Sequence, residues 1–127
     1  MTDTDKLFSM IAAHTMQGKM FIANTWTIAE IVFKNFTAKS WSEMNGLRWL
    51  SDSRVFFNPT RIEIETTIIP AKGPEEKKKA IDYVYSLNEM ETMLNKFRFE
   101  IKEIWSIPGK KKFTLGEPRA YIVAEKV

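Results

Sequence analysis

Apolar residues recur along this chain with two different periods, and the changes between them mark the predicted elements. From residue 4 to 17, Leu7, Phe8, Ile11 and Met16 give an apolar stripe at helical spacing. Thr2 or Thr4 is placed to cap that helix, Asp3 and Asp5 sit at the favourable end of its dipole, and Gly18 stops it. Met20 to Ala23 is a short candidate strand. Asn24 to Thr27 is a capping cluster, after which Ile28, Ile31, Val32 and Phe36 repeat at helical spacing. The β-branched Ile31 and Val32 also suit a strand. Ser40 and Glu43 make a capping box, and Met44, Leu47 and Leu50 follow at three-residue intervals, which predicts a helix over 41–52.

The period then shortens. Arg54-Val-Phe-Phe57 and Arg61-Ile-Glu-Ile-Glu-Thr-Thr-Ile-Ile69 flank the turn triplet Asn58-Pro59-Thr60 and predict a β-hairpin. Pro70 and Gly73-Pro74 break the chain before a predicted helical stretch, 75–96. Its apolar face moves from Ile81, Val84 and Tyr85 to Leu87, Met90, Leu94 and Phe97. A second capping box, Ser86 with Glu89, falls at the change and predicts a bend or two short helices. Beyond it Phe97, Phe99 and Ile101 alternate with Arg98, Glu100 and Lys102, Pro108-Gly109 turns the chain, and 111–115 and 119–126 can add one or two strands. The expected fold is a single α+β domain over 1–127, with about four helices and antiparallel β-hairpins.

Composition narrows the class. At 127 residues with 44% apolar and 13% aromatic content, the chain can build a core, which excludes wholesale disorder. No apolar run approaches the roughly 18 to 20 residues of a membrane span. The acidic opening MTDTDKLF is not expected to be a secretory leader. The lack of cysteine removes disulfides, thiolate catalysis and zinc–cysteine sites, and a reducing, cytoplasmic setting is expected. Nineteen basic residues against sixteen acidic give a net charge of +3. Residues 1–69 are balanced, so the excess lies beyond residue 70, where Lys77-Lys78-Lys79 and Lys110-Lys111-Lys112 would attract a phosphate backbone or an anionic surface.

Few residues offer chemistry. His14 stands alone, with no serine or aspartate spaced as a triad. Carboxylates are the main candidate metal ligands, there is no calcium-loop pattern, and the five glycines are too scattered for a phosphate loop. Glu63 and Glu65 share one strand face, and Glu100, Lys102 and Glu103 form an E-x-K segment. Acids and a lysine converging on one phosphate would make a metal-dependent nuclease. A solvent face of cross-strand ion pairs is the commoner use of such residues. No metal, no cofactor and no enzymatic activity are expected.

The order helix, short strand, helix, turn, helix, hairpin over residues 4–69, with Thr27-Ile-Ala-Glu-Ile31 and with Leu47-x-x-Leu50 followed by Arg54-Val55-Phe56, resembles winged helix-turn-helix DNA-binding domains. The resemblance makes 1–69 a winged-helix-like part and 70–127 a helix and β-strand extension. It implies that helix 41–52 enters the major groove, with Ser42, Asn45 and Arg48 facing base edges. Lys39, Ser40 and Arg54 would meet phosphates, and Asn58, Thr60 and Arg61 would form the wing. Lys110, Lys111 and Lys112 would add phosphate contacts. The function implied is a DNA-binding transcriptional regulator with double-stranded DNA as its partner, dimeric through 75–105. An alternative follows from Trp49, which helical geometry sets opposite Met44 and Leu47: a protein-binding adaptor or inhibitor without DNA affinity.

Overall fold

The computed structural model describes residues 2–127 and holds α1 (Asp3–Ala13), β1 (Met20–Thr25), α2 (Ala29–Asn35), β2 (Lys39–Met44), β3 (Leu47–Phe56), β4 (Arg61–Ile69), β5 (Glu76–Tyr83), α3 (Leu87–Lys96), β6 (Phe99–Ile107), β7 (Lys111–Lys112) and β8 (Ala120–Lys126). Its contacts divide into two compact units. One combines residues 2–35 with 85–127, and the other is the intervening stretch 36–84.

The discontinuous unit is a four-stranded sheet of order β1-β8-β6-β7 with every neighbour antiparallel. A capping box starts each of its longer helices, Thr2 with Asp5 on α1 and Ser86 with Glu89 on α3. Thr2 accepts from the Asp5 amide and Ser86 from the Glu89 amide, each at 3.1 Å, and each acid bonds back to the cap backbone. Glu30 of α2 then accepts the Leu87 N–H at 2.7 Å, so the first amides of α3 are already satisfied. The core packs helix side chains on one face of the sheet: Phe8 of α1 and Leu94 of α3 against Phe99, Ile122 and Ala124. Ile28 and Ile31 extend that layer over Ala120. Phe8 and Phe21 meet edge to face, 6.4 Å between ring centres. Lys126 lies 5.3 Å from the Phe99 ring centre while its ammonium donates to the Ala12 carbonyl.

The second unit is a meander, β2-β3-β4-β5, again fully antiparallel. The β3–β4 hairpin is the one the alternation predicts, closing at Phe56 opposite Arg61. Two expectations fail here. The helix over 41–52 is instead the hairpin β2–β3, because Asn45 and Gly46 both take positive φ (53° and 75°), the two-residue turn that an Asn-Gly pair favours. The first part of the 75–96 helix is β5, whose lysines pair across to β4 in the order Thr67↔Lys77, Thr66↔Lys78 and Glu65↔Lys79. Among the described residues, three helices and two four-stranded sheets therefore replace the expected fold of about four helices with a winged-helix half. No helix among the described residues is long and apolar enough to cross a membrane.

Truncating Leu94, which is 1% exposed, to Ala should destabilise the chain by about 2–5 kcal/mol in urea unfolding. A pH effect should accompany the loop before β8. Glu117 accepts from Lys111, Ser106 and Thr114, and the Lys111 bond, the largest influence, holds its carboxyl below the usual 4.5. A lowered carboxylate pKa contributes stability above the unfolded value and loses it as pH falls through the folded one. Protection of the amides in residues 108–119, measured relative to their intrinsic exchange rate at each pH, should therefore fall below about pH 4.5, and Glu117→Gln should flatten that dependence.

Candidate functional site

The meander's strand register gathers charge on one face. Alternate residues of a strand share a face, and residues opposite one another in neighbouring strands lie side by side. Three rows result: Asp52, Glu65 and Lys79; Arg54, Glu63 and Ile81; Phe56, Arg61 and Tyr83. The opposite parity carries Ile62 and Ile68, which are buried. A groove of about 430 Å³ lies over these rows, and its polar lining comes from Asp52, Arg54, Glu63, Glu65 and Lys79.

Arg61 closes one end of the face and is held there through its Nε and Nη1. Its Nε donates to Glu63 Oε2 at 2.9 Å, its Nη1 donates to the Pro59 and Phe57 carbonyls at 3.0 and 3.3 Å, and its guanidinium stands 5.2 Å from the Phe56 ring centre. Among the described residues, Asp52, Arg54, Glu65 and Lys79 enter no ion pair within 4.0 Å. Two carboxylates, one guanidinium and one ammonium thus stand free beside the apolar Phe56 and Ile81. That combination suits a ligand of several hydroxyl or amino groups with an apolar side. It does not suit a metal, since no group of three or more acids or histidines among the described residues could hold one.

The residues predicted from sequence are scattered over both units. Lys39 and Ser42 lie on the exposed strand β2, Asn45 is in the β2–β3 turn and Arg48 is the second residue of β3. No recognition helix exists for them to occupy. Asn58 is in the β3–β4 turn, joined to Pro59 by a cis peptide. Of the supposed wing and phosphate residues, Arg54 lines the groove and Arg61 borders it. Lys110 sits in the β6–β7 turn and Lys112 on β7, while Lys111 is tied to Glu117. Trp49 is half-buried rather than exposed, and its indole N–H is enclosed without an acceptor. The nuclease set is not assembled either: Glu63 and Glu65 belong to the meander, whereas Glu100 and Lys102 pair with each other at 3.3 Å in the other unit. His14 caps α1 with its Nδ1 at 2.8 Å from the Met10 carbonyl. Sequence reasoning missed Asp52 and Lys79 as site residues; the signal was the register that an Asn45-Gly46 turn imposes.

No family model and no curated protein matches the sequence. Solved structures do match, across nearly the whole chain. One is an S-adenosylmethionine-dependent methyltransferase from Clostridium acetobutylicum, with a TM-score of 0.78, 12% identity, and coverage of 97% of this chain and 50% of that one. A second is the CcbJ methyltransferase of Streptomyces caelestis, at 0.76 and 10% identity over 97% of this chain and 52% of that one. A third, from Micromonospora echinaspora, is an amino pentose methyltransferase with S-adenosylmethionine bound, at 0.64 and 15% identity over 97% and 50%. The chain spans about half the length of the structures it matches.

This likeness of fold replaces the winged-helix resemblance, and several expectations fall with it. They are the DNA-binding transcriptional regulator, its double-stranded DNA partner and dimer, the absence of enzymatic character, and the adaptor acting through Trp49. The residues present do not form a cradle for S-adenosylmethionine. Each glycine takes positive φ in a turn that leads into a strand, and none carries a strand into a helix. The amides at the start of α3 are occupied by Glu30, Ser86 and Glu89, and α2 has only seven residues.

Trp49→Phe removes an enclosed donor that has no acceptor, so it should leave stability within about 1 kcal/mol of the parent or raise it. Trp49→Ala should cost more than Trp49→Phe, though less than the roughly 3–5 kcal/mol of a fully buried aromatic, since Trp49 is only half-buried. Urea unfolding of the two variants reads the difference.

Proposed function

We propose that this chain is one half of a methyltransferase-type enzyme, the half that receives the methyl acceptor. The observation that carries the reading is the fold likeness: 97% of the chain superposes on a methyltransferase at a TM-score of 0.78. The cofactor belongs to the half that the chain does not span, in keeping with the want of a cradle here. The acceptor surface is the groove of the meander. Its free carboxylates, Asp52 and Glu65, bind ammonium or hydroxyl groups, and Arg54 and Lys79 donate to ring or hydroxyl oxygens. Two matched structures are described as an amino pentose methyltransferase and a sugar N-methyltransferase, which supports an amino sugar as the acceptor class. A cysteine-free chain suits a cytoplasmic enzyme.

NMR titration of the full chain with glucosamine and, separately, with S-adenosylmethionine tests this. Glucosamine should shift the amides around Asp52, Arg54, Glu65 and Lys79, and Glu65→Lys should weaken the effect at least about tenfold, the order expected for losing a charged hydrogen bond. S-adenosylmethionine should shift neither unit. Shifts from S-adenosylmethionine, or none from glucosamine in the groove, would overturn the reading.

A further inference from the structure

The apolar residues on the meander's strands are sorted unevenly between its two faces. Ile62 and Ile68 are buried on one parity. Of the six large apolar side chains exposed on β2 to β5, five share the groove's parity: Trp41, Leu50, Phe56, Ile81 and Tyr83. Met44 is the exception, beside the Asn45-Gly46 turn. Apolar residues scattered singly over a surface are ordinary, whereas several gathered on one face beside a charged groove mark a binding surface.

Register orders that face. Lys39 extends the row of Asp52, Glu65 and Lys79 onto β2. The adjacent row, two residues away along each strand, is Trp41, Leu50, Thr67 and Lys77. Two residues of an antiparallel strand rise about 7 Å, roughly the breadth of one sugar ring. Trp41 and Leu50 are therefore direct cross-strand neighbours one ring's breadth from Asp52 and Glu65. Trp41 is 70% exposed, and its indole has no aromatic or cationic stacking partner among the described residues. Phe56, at the other end of the groove, already has the Arg61 guanidinium over its ring. The unoccupied aromatic surface thus lies on the Trp41 side. Strand β2 itself carries Lys39, Ser40, Ser42 and Glu43, charge and polarity that discourage its edge from pairing with another chain.

We infer that Trp41 and Leu50 form a second subsite, which receives an apolar ring joined to the amino sugar held at Asp52 and Glu65, an assignment that rests on the acceptor reading above. The acceptor is then a glycoside with an aromatic aglycone, not a free sugar. The charged row takes the polar sugar. The indole face takes the aglycone ring, where burial of apolar area and the ring quadrupole act together. A free amino sugar reaches only the charged row and leaves the indole in water.

NMR titration of the full chain with glucosamine and with its methyl and phenyl β-glycosides tests it. All three should shift the amides around Asp52 and Glu65. Only the phenyl glycoside should shift Leu50, Thr67 and Trp41, including the Trp41 indole N–H. It should also bind about tenfold more tightly than the methyl glycoside, the order of one added aromatic contact with its buried area. Trp41→Ala should bring that ratio to about one, and Trp41→Phe should retain part of it. Met44→Ser, at an exposed position on the opposite face, should keep the ratio whole. Equal affinity for the two glycosides, or a preference that survives Trp41→Ala, would overturn the proposal and leave the acceptor reading in place. So would a dimer in sedimentation that Trp41→Ala dissolves. No shift at Asp52 or Glu65 with any of the three sugars would instead sink the acceptor reading, and this proposal with it.

Discussion

The discontinuous unit depends on β8. The last strand lies between β1 and β6 and supplies one ladder to each, joining segments that are far apart in sequence. Its inward side chains, Ala120, Ile122 and Ala124, are all but fully buried. The two alanines let helix residues approach the strand closely, and Ile122 fills the centre between Phe8, Leu94 and Phe99. Without β8 the helices would have no common surface, because neither β1 nor β6 pairs with the other. The meander obeys a different rule: each strand pairs with its neighbour in sequence, so local turns set its register.

Part of this arrangement was legible in the sequence for local reasons. The Ser86–Glu89 capping box of α3 can be read from residue spacing, as can Thr2 as one of two candidate caps of α1 and the hairpin around Asn58-Pro59-Thr60. The region 39–52 misleads because Met44, Leu47 and Leu50 satisfy a helical period by coincidence, while Ser40 and Glu43 imitate a cap. The stronger signal was Asn45-Gly46, whose joint preference for positive φ outweighs three weakly spaced apolar residues. Residues 76–83 hide for another reason. Lys77, Lys78 and Lys79 have modest strand propensity, and only pairing with β4 holds them extended. Once β2–β3 is read as a helix, the remaining order imitates a winged helix.

The candidate site was less legible than the fold, and the cause is geometric. Glu63 and Glu65 can be placed on one face from their spacing alone. Asp52, Arg54 and Lys79 join them only through the register of three strands, and register is set by turns rather than by composition. Arg61 shows what residue type leaves out: it is expected in a wing, and here its Nε and Nη1 bind Glu63 and two carbonyls of its own hairpin.

The meander interrupts the other unit between Asn35 and Tyr85, and it is continuous in sequence. Tyr85 returns directly to the start of α2, where its carbonyl accepts the Ala29 N–H at 2.9 Å. The meander is therefore a closed loop of roughly fifty residues, and loop-closure entropy grows only with the logarithm of length. Exchanging it for a tight connection would alter that entropy by about 2 kcal/mol. The cost of carrying so large an insertion is small, so selection can resize or replace it while β8 and its ladders stay as they are. The groove lining and the ladders of β8 are in this way encoded in separable stretches of one chain, free to diverge at different rates.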